Sequence, residues 1–166
     1  MSEVLLRPWK KEDAQALAAI ANNRTIWNQV RDRMPSPYTV TDALEWIEHC
    51  SKQKPLQNFC IEVNGAVTGS IGFIPKEDVC RKTVEIGYFV GELYWGKGIA
   101  TTAVAQLLQH IESTLDVVRI YAEVFEHNKA SMQVLRKNGF YLEGIRRKSV
   151  IKNNIIMDDY VWVKLL

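Results

Sequence analysis

From Val90 to Thr101 the sequence reads Val-Gly-Glu-Leu-Tyr-Trp-Gly-Lys-Gly-Ile-Ala-Thr, with glycines at 91, 96 and 98 and a lysine between the last two. The residues before this stretch are β-prone and those after it have helical spacing, so the glycines lie where a strand hands over to a helix. Such a junction aims backbone N–H groups and the positive end of a helix dipole at one point, and glycine lets a ligand approach the main chain closely. A phosphate, and above all a pyrophosphate, is the ligand this chemistry suits.

Two nucleotide-binding patterns come near and fail. The run Gly91 to Lys97 matches the start of a P-loop, but Gly98 stands where a serine or threonine must offer a hydroxyl to magnesium. A dinucleotide fingerprint needs glycine or alanine at Thr101, an acidic ribose ligand about twenty residues on and a parallel βαβ unit. Glu123 is only loosely placed for that ligand, and the strands before the loop read as antiparallel.

The elements that must position the loop follow from periodicity. Val4-Leu5-Leu6-Arg7 reads as a strand ended by Pro8, and 12–21 as a helix with Ala14, Leu17, Ala18 and Ala21 on one side. A helix resumes over 25–33, Pro35-Ser36-Pro37 makes a rigid turn, and 41–51 is helical with Thr41 as its cap. Strands over 58–63 and 67–74 flank Asn64-Gly65, a tight hairpin turn, and a third over 83–90 completes an antiparallel meander. The span 99–115 places Ala100, Val104, Leu107, Leu108, Ile111 and Leu115 on one helical face. A strand over 119–125, a helix over 129–138 stopped by Asn138-Gly139, and strands over 141–151 and 159–165 around Asn153-Asn154 end the chain. The whole is one mixed α/β domain over 1–166, with no linker or repeat.

Composition narrows the class. With 47% apolar residues in 166, the chain can bury a core without disulfide or metal, and a net charge of +2 without long charged runs gives no electrostatic case for nucleic acid. Residues 1–10 carry neither a signal-peptide core nor a membrane span, so a cytoplasmic protein is expected. Cys50, Cys60 and Cys80 read as reduced, mostly buried thiols, and His49, His110 and His127 lack ligand spacing, so no metal is expected.

The loop resembles the acetyl-CoA motif of the GNAT superfamily of N-acetyltransferases, Gln/Arg-x-x-Gly-x-Gly/Ala, which here reads Trp95-Gly96-Lys97-Gly98-Ile99-Ala100. Tryptophan in place of Gln or Arg is similar to the ribosomal-protein-alanine N-acetyltransferase branch, whose Tyr-Trp-Gly-Lys-Gly-Ile/Tyr-Ala-Thr segment is matched from Tyr94 through Thr101. Leu6-Arg7-Pro8-Trp9, Pro35-Ser36-Pro37-Tyr38-Thr39, Glu85-Ile86-Gly87-Tyr88, Asn128-Lys-Ala-Ser131, Lys137-Asn-Gly139-Phe140 and Asp158 extend the resemblance over nearly the whole chain. It implies a three-layer α/β fold, with a mostly antiparallel twisted sheet, a splayed strand pair and flanking helices. The implied reaction is transfer of an acetyl group from acetyl-CoA to a primary amine, on a small molecule or a protein amino terminus, by a monomer or homodimer acting without membrane or nucleic acid.

The resemblance also assigns roles. Tyr88, Phe89 and Val90 supply backbone bonds to the pantetheine arm, one N–H acting as oxyanion donor. Trp95, Gly96, Lys97, Gly98, Ile99, Ala100 and Thr101 hold the pyrophosphate, mainly through backbone. Glu85, in the strand before the loop and sharing a face with Gly87 and Phe89, reads either as the base, acting directly or through water, or as a solvated strand carboxylate. Asn128 reads as a helix N-cap, to which the resemblance adds a pantetheine contact. Ser131 matches the serine proposed to support the CoA thiolate, since the position where other members carry a tyrosine acid is Leu135. Glu123, Glu126 and His127 are reserve bases. Trp27 and Tyr38 fall where the superfamily builds its acceptor pocket, while Trp9, Trp46 and Trp162 read as core. The alternatives are a non-catalytic acyl-CoA-binding or regulatory domain and a nucleotide enzyme using the near-P-loop.

Overall fold

Alternation and capping set the elements of the computed structural model, which describes residues 3–166. In chain order these are β1 (Val4–Arg7), α1 (Ala14–Ala21), α2 (Arg24–Trp27), α3 (Val40–Ser51), β2 (Asn58–Val63), β3 (Ala66–Pro75) and β4 (Thr83–Val90), followed by α4 (Ile99–Thr114), β5 (Arg119–Phe125), α5 (Lys129–Lys137), β6 (Tyr141–Lys152) and β7 (Ile155–Leu165). The strands form one mostly antiparallel sheet in the order β1-β2-β3-β4-β5-β7-β6, a mixed α/β fold as expected. Its parallel pair is β4 with β5, in register from Thr83 with Arg119 to Glu85 with Tyr121, and β4 continues past that point to Val90.

By their contacts the residues fall into two units, each built from two chain segments. The first comprises 3–72 and 88–103. Here β1 pairs with β2 and β2 with β3, the latter pair turned by Asn64 and Gly65, both at positive φ as an Asn-Gly hairpin requires. Helices α1 and α3 pack on each other, and Leu17, Ala18, Ala21, Ala43, Ile47 and Cys50 form a buried cluster with Trp9 and Tyr38. Each fully buried Leu or Ile there contributes roughly 1.5–3 kcal/mol. The helix read over 25–33 is a single turn, Arg24–Trp27, capped by Asn23, whose Oδ1 accepts from Ile26 N at 3.0 Å. The cap of α3 is Thr39 and not Thr41. Thr39 Oγ1 accepts from Asp42 N at 3.2 Å while Asp42 Oδ2 accepts from Thr39 N at 2.7 Å, a reciprocal box that only Thr39 can close.

The second unit comprises 73–87 and 104–166. On β5, Ile120, Ala122 and Val124 are buried, while Arg119, Tyr121 and Glu123 take the opposite face. The buried stripe of α4 includes Val104, Leu107, Leu108 and Ile111, matching the sequence pattern, with Ala100 and Leu115 only half-buried at its ends. Strand β7 lies between β5 and β6, and β6 carries two register irregularities, between Leu142 and Gly144 and between Arg146 and Val150. Trp9, in the first unit, and Trp162, in the second, are buried as expected, whereas Cys80 is exposed in a short turn after β3. No described helix is long and apolar enough to cross a membrane.

An ion pair ties the start of the first unit together. Arg7 donates to both carboxylate oxygens of Asp13, at 2.8 and 2.9 Å, and also pairs with Glu62, while Lys10 N donates to Asp13 at 2.8 Å. Burial alone pushes the Asp13 carboxyl up, but the Arg7 guanidinium and the Lys10 N–H bring it below the ordinary carboxylate value. A carboxyl depressed in the folded state stabilises above its unfolded pKa and loses that contribution as pH falls through its folded one. Urea titrations are therefore expected to show Asp13→Asn less stable by about 2 kcal/mol at neutral pH. The gap to wild type closes as the pH falls below about 4.

Candidate active site

The loop after β4 is set by backbone geometry. Gly69 on β3 lies so close to β4 that a Cβ there would stand 2.3 Å from the Phe89 carbonyl oxygen. Gly91 N then donates to Thr68 O at 2.8 Å, which ends the pairing of β4 and releases the chain into a short turn, Glu92–Tyr94. Trp95 folds back so that its indole N–H donates to Val90 O at 2.7 Å. Asn23 Nδ2 holds Glu92 at 2.6 Å, and Lys97 Nζ stands 5.7 Å from the centre of the Tyr94 ring.

Gly96 and Gly98 both have φ +74, the left-handed region that favours glycine, and no atom lies within 4 Å of where either Cβ would be. The first helical bond of α4 is Thr102 N to Gly98 O at 3.1 Å, so the amides just before it have no carbonyl partner within the helix. No described acidic side chain lies in the first turn of α4 to neutralise the helix dipole. The result is an open cradle of main-chain donors, with Lys97 adding charge, which fits a pyrophosphate such as that of acetyl-CoA. Of the residues expected around it, Val90 and Ile99 are buried, and Tyr88, Phe89, Ala100 and Thr101 are half-buried.

Trp27 and Tyr38 lie in the same unit. Trp27 is half-buried, its Nε1 donating to Met34 O at 2.9 Å and its ring facing the Arg24 guanidinium at 4.1 Å. Tyr38 belongs to the core cluster, and burial pushes its hydroxyl up to about 12. Burial also pushes the thiols of Cys50 and Cys60 up to about 12, far from a nucleophilic thiolate at neutral pH.

Glu85, Asn128 and Ser131 belong to the second unit. Glu85 is not a solvated carboxylate, being only 8% exposed. Its Oε2 is 2.7 Å from Lys76 Nζ and accepts from the Tyr121 hydroxyl at 3.1 Å. Desolvation lowers the affinity of the Lys76 amine for its proton, but the bonds and charges of Glu85 and Tyr121 together outweigh it and the Lys76 pKa is raised; burial raises that of Tyr121. Asn128 caps α5, its Oδ1 accepting from Ser131 N at 3.1 Å, and Leu135 is fully buried with no proton to give. The reserve residues are engaged elsewhere: Glu123 with Arg146 at 2.5 Å, Glu126 with Asp158 N at 3.2 Å, and the His127 ring with Phe125.

Sequence reasoning did not single out Lys76 or Tyr121. Only strand pairing reveals them, since Tyr121 is opposite Glu85 in the β4–β5 register and Lys76 N donates to Thr83 O at 2.9 Å. Tyr121 also lines a hollow of about 290 Å³ whose walls include Arg119, Glu143 and Arg146. Among the described residues no group of acidic, histidine or cysteine side chains is placed to hold a metal ion.

A family model described as Acetyltransferase (GNAT) domain matches residues 3–141. The probable N-acetyltransferase YjcK of Bacillus subtilis (strain 168) is 42% identical over 80 residues, 48% of this chain, and this chain spans only 44% of that protein's length. The L-amino acid N-acetyltransferase AaaT of Escherichia coli (strain K12) is 23% identical over 167 residues, 99% of each chain. Among solved structures, Mycobacterium smegmatis RimJ in complex with CoA-disulfide is 25% identical with a TM-score of 0.86, covering 98% of this chain and 81% of that one. The chain belongs to the GNAT acetyltransferase family, and its activity is acetyl-CoA-dependent N-acetylation.

A side chain at position 98 both strains a left-handed residue, by about 1–2 kcal/mol, and fills the cradle. Calorimetry is accordingly expected to find that Gly98→Ala weakens acetyl-CoA binding about tenfold or more. Its thermal midpoint should fall by only about 2–8 °C, the cost of the strain alone, because the position is open.

Proposed function

We propose that this enzyme transfers the acetyl group directly, with acetyl-CoA and a primary amine bound together, and that the acceptors include protein amino termini. The observation that carries the cofactor half of this reading is the pair of unobstructed, left-handed glycines at the start of α4. The diphosphate would rest on the main chain of 96–101 and on Lys97, and Tyr88 to Val90 would offer backbone donors and acceptors to the pantetheine arm. Acetyl-CoA supplies an activated thioester, whose oxygen gains negative charge as an amine attacks it. A backbone N–H of β4, already in place before the reaction, favours that charge without reorganisation.

An ammonium cannot attack until it loses a proton, and Glu85 is our choice of base, acting through water. Its burial and its contact with Lys76 support this role, because a carboxylate beside a cation stays ionised and ready to accept. Ser131 is the candidate donor to the departing thiolate and Asn128 a contact of the pantetheine arm, in addition to its cap. For the acceptor pocket, the half-buried Trp27 is better suited than Tyr38, whose ring is committed to the core. We place the enzyme in the cytoplasm, where acetyl-CoA and free amino termini are both available.

The reading is tested by following thiol release from acetyl-CoA with a panel of amines, including peptides with free amino termini, spermidine and single amino acids. Release is expected with at least one peptide, in proportion to product amide, and Glu85→Gln should lower kcat by roughly 10²–10⁴-fold. An acetyl group found on a cysteine by mass spectrometry in the absence of acceptor would overturn direct transfer.

A further inference from the structure

Glu85 is a carboxylate with two unlike neighbours on one oxygen, an ammonium and a phenol. Lys76 is anchored at both ends. Its backbone N–H donates to Thr83 O at 2.9 Å, which fixes it diagonally beside Glu85, and its ammonium lies 5.4 Å from the centre of the Tyr121 ring as well as 2.7 Å from Glu85. The side chains of the pair are 30% and 10% exposed. A partly buried ion pair of this kind gives back in desolvation much of what it gains in attraction, so it is a poor device for stability alone. What it does well is to fix the charge and direction of one carboxylate.

We propose that Lys76 is a positioning residue for acetyl transfer: its ammonium keeps Glu85 ionised and aimed, with the Tyr121 hydroxyl as a second tether on the same oxygen. This rests on the reading of Glu85 as the base. The charged and titratable groups facing Glu85 include Lys76, from the segment after β3, and Tyr121, from β5. Behind Tyr121 stand Arg119, 5.8 Å from its ring centre, and Arg146 of β6, whose charge also acts on Tyr121. Lys76 is a cation in direct contact. Without it, a carboxylate that is 8% exposed loses an opposite charge at 2.7 Å, and its desolvation favours the neutral acid. A base is useful only when ionised, so loss of Lys76 must cost activity at low pH and cost little at high pH.

The test is the pH profile of kcat at saturating acetyl-CoA and acceptor for wild type, Lys76→Met, Lys76→Arg and Glu85→Gln. An opposite charge at this distance is worth about 1–3 pH units, so Lys76→Met is expected to move the acid limb upward by at least about one unit. Lys76→Arg should hold it in place, and KM for acetyl-CoA should stay unchanged in both. Direct titration of the Glu85 carboxyl by ¹³C NMR, in wild type and Lys76→Met, reads the same shift without relying on turnover. A Lys76→Met profile that superimposes on wild type, or falls equally at all pH, overturns the proposal while leaving Glu85 as the base. An acid limb that survives unchanged in Glu85→Gln removes the base assignment itself, and this proposal with it.

Discussion

Where Gly69 meets the carbonyl of Phe89, two backbones come closer than any side chain would allow. That approach lets β3 hold the end of β4, so that Thr68 O can take the amide of Gly91 and the chain can leave the strand at a defined residue. Everything in the phosphate cradle is measured from that exit. The short turn places Trp95, whose indole returns to the Val90 carbonyl, and the two left-handed glycines then bring the chain into α4. A tryptophan here braces the loop through a single N–H, a donor that glutamine or arginine could also supply.

The two units use different physics. The loop in the first offers main-chain dipoles, which depend on conformation and tolerate change in most side chains. The second carries its chemistry on charged side chains that reach across strands. Arg119 holds Glu143 and Arg146 holds Glu123, each from β5 to β6, while Lys76 and Tyr121 converge on Glu85.

Much of this was legible in the sequence wherever the signal was local. Asn64-Gly65 marked a hairpin because few other pairs accept two left-handed residues, and the α4 stripe stood out because its apolar spacing runs over four turns. The strand over 119–125 was readable from alternation, and Asn128 from its place before a helix. Errors arose where two local signals competed. Thr39 and Thr41 both resemble caps, and only the position of Asp42 three residues after Thr39 separates them. Residues 25–33 have enough helical spacing to propose a helix, but after Trp27 the chain turns toward Met34, whose carbonyl receives the Trp27 indole. The partners of Glu85 could not be read at all, because one is nine residues away across a turn and the other thirty-six away across a parallel strand pair. Glu85 itself was visible only by its place in a motif.

Strand β6 ends the sheet on one side, and it is not a smooth ribbon. Its register slips twice, Lys148 sits at positive φ, and Arg146, Arg147 and Lys148 crowd the second slip, two of them drawn to carboxylates on β5 and β7. At the opposite margin β1 is only four residues long. A free edge is a template on which another chain can add a strand and begin a fibril. Interrupted and cationic at one border and only four residues long at the other, the sheet has edges of the kind that disfavour such growth.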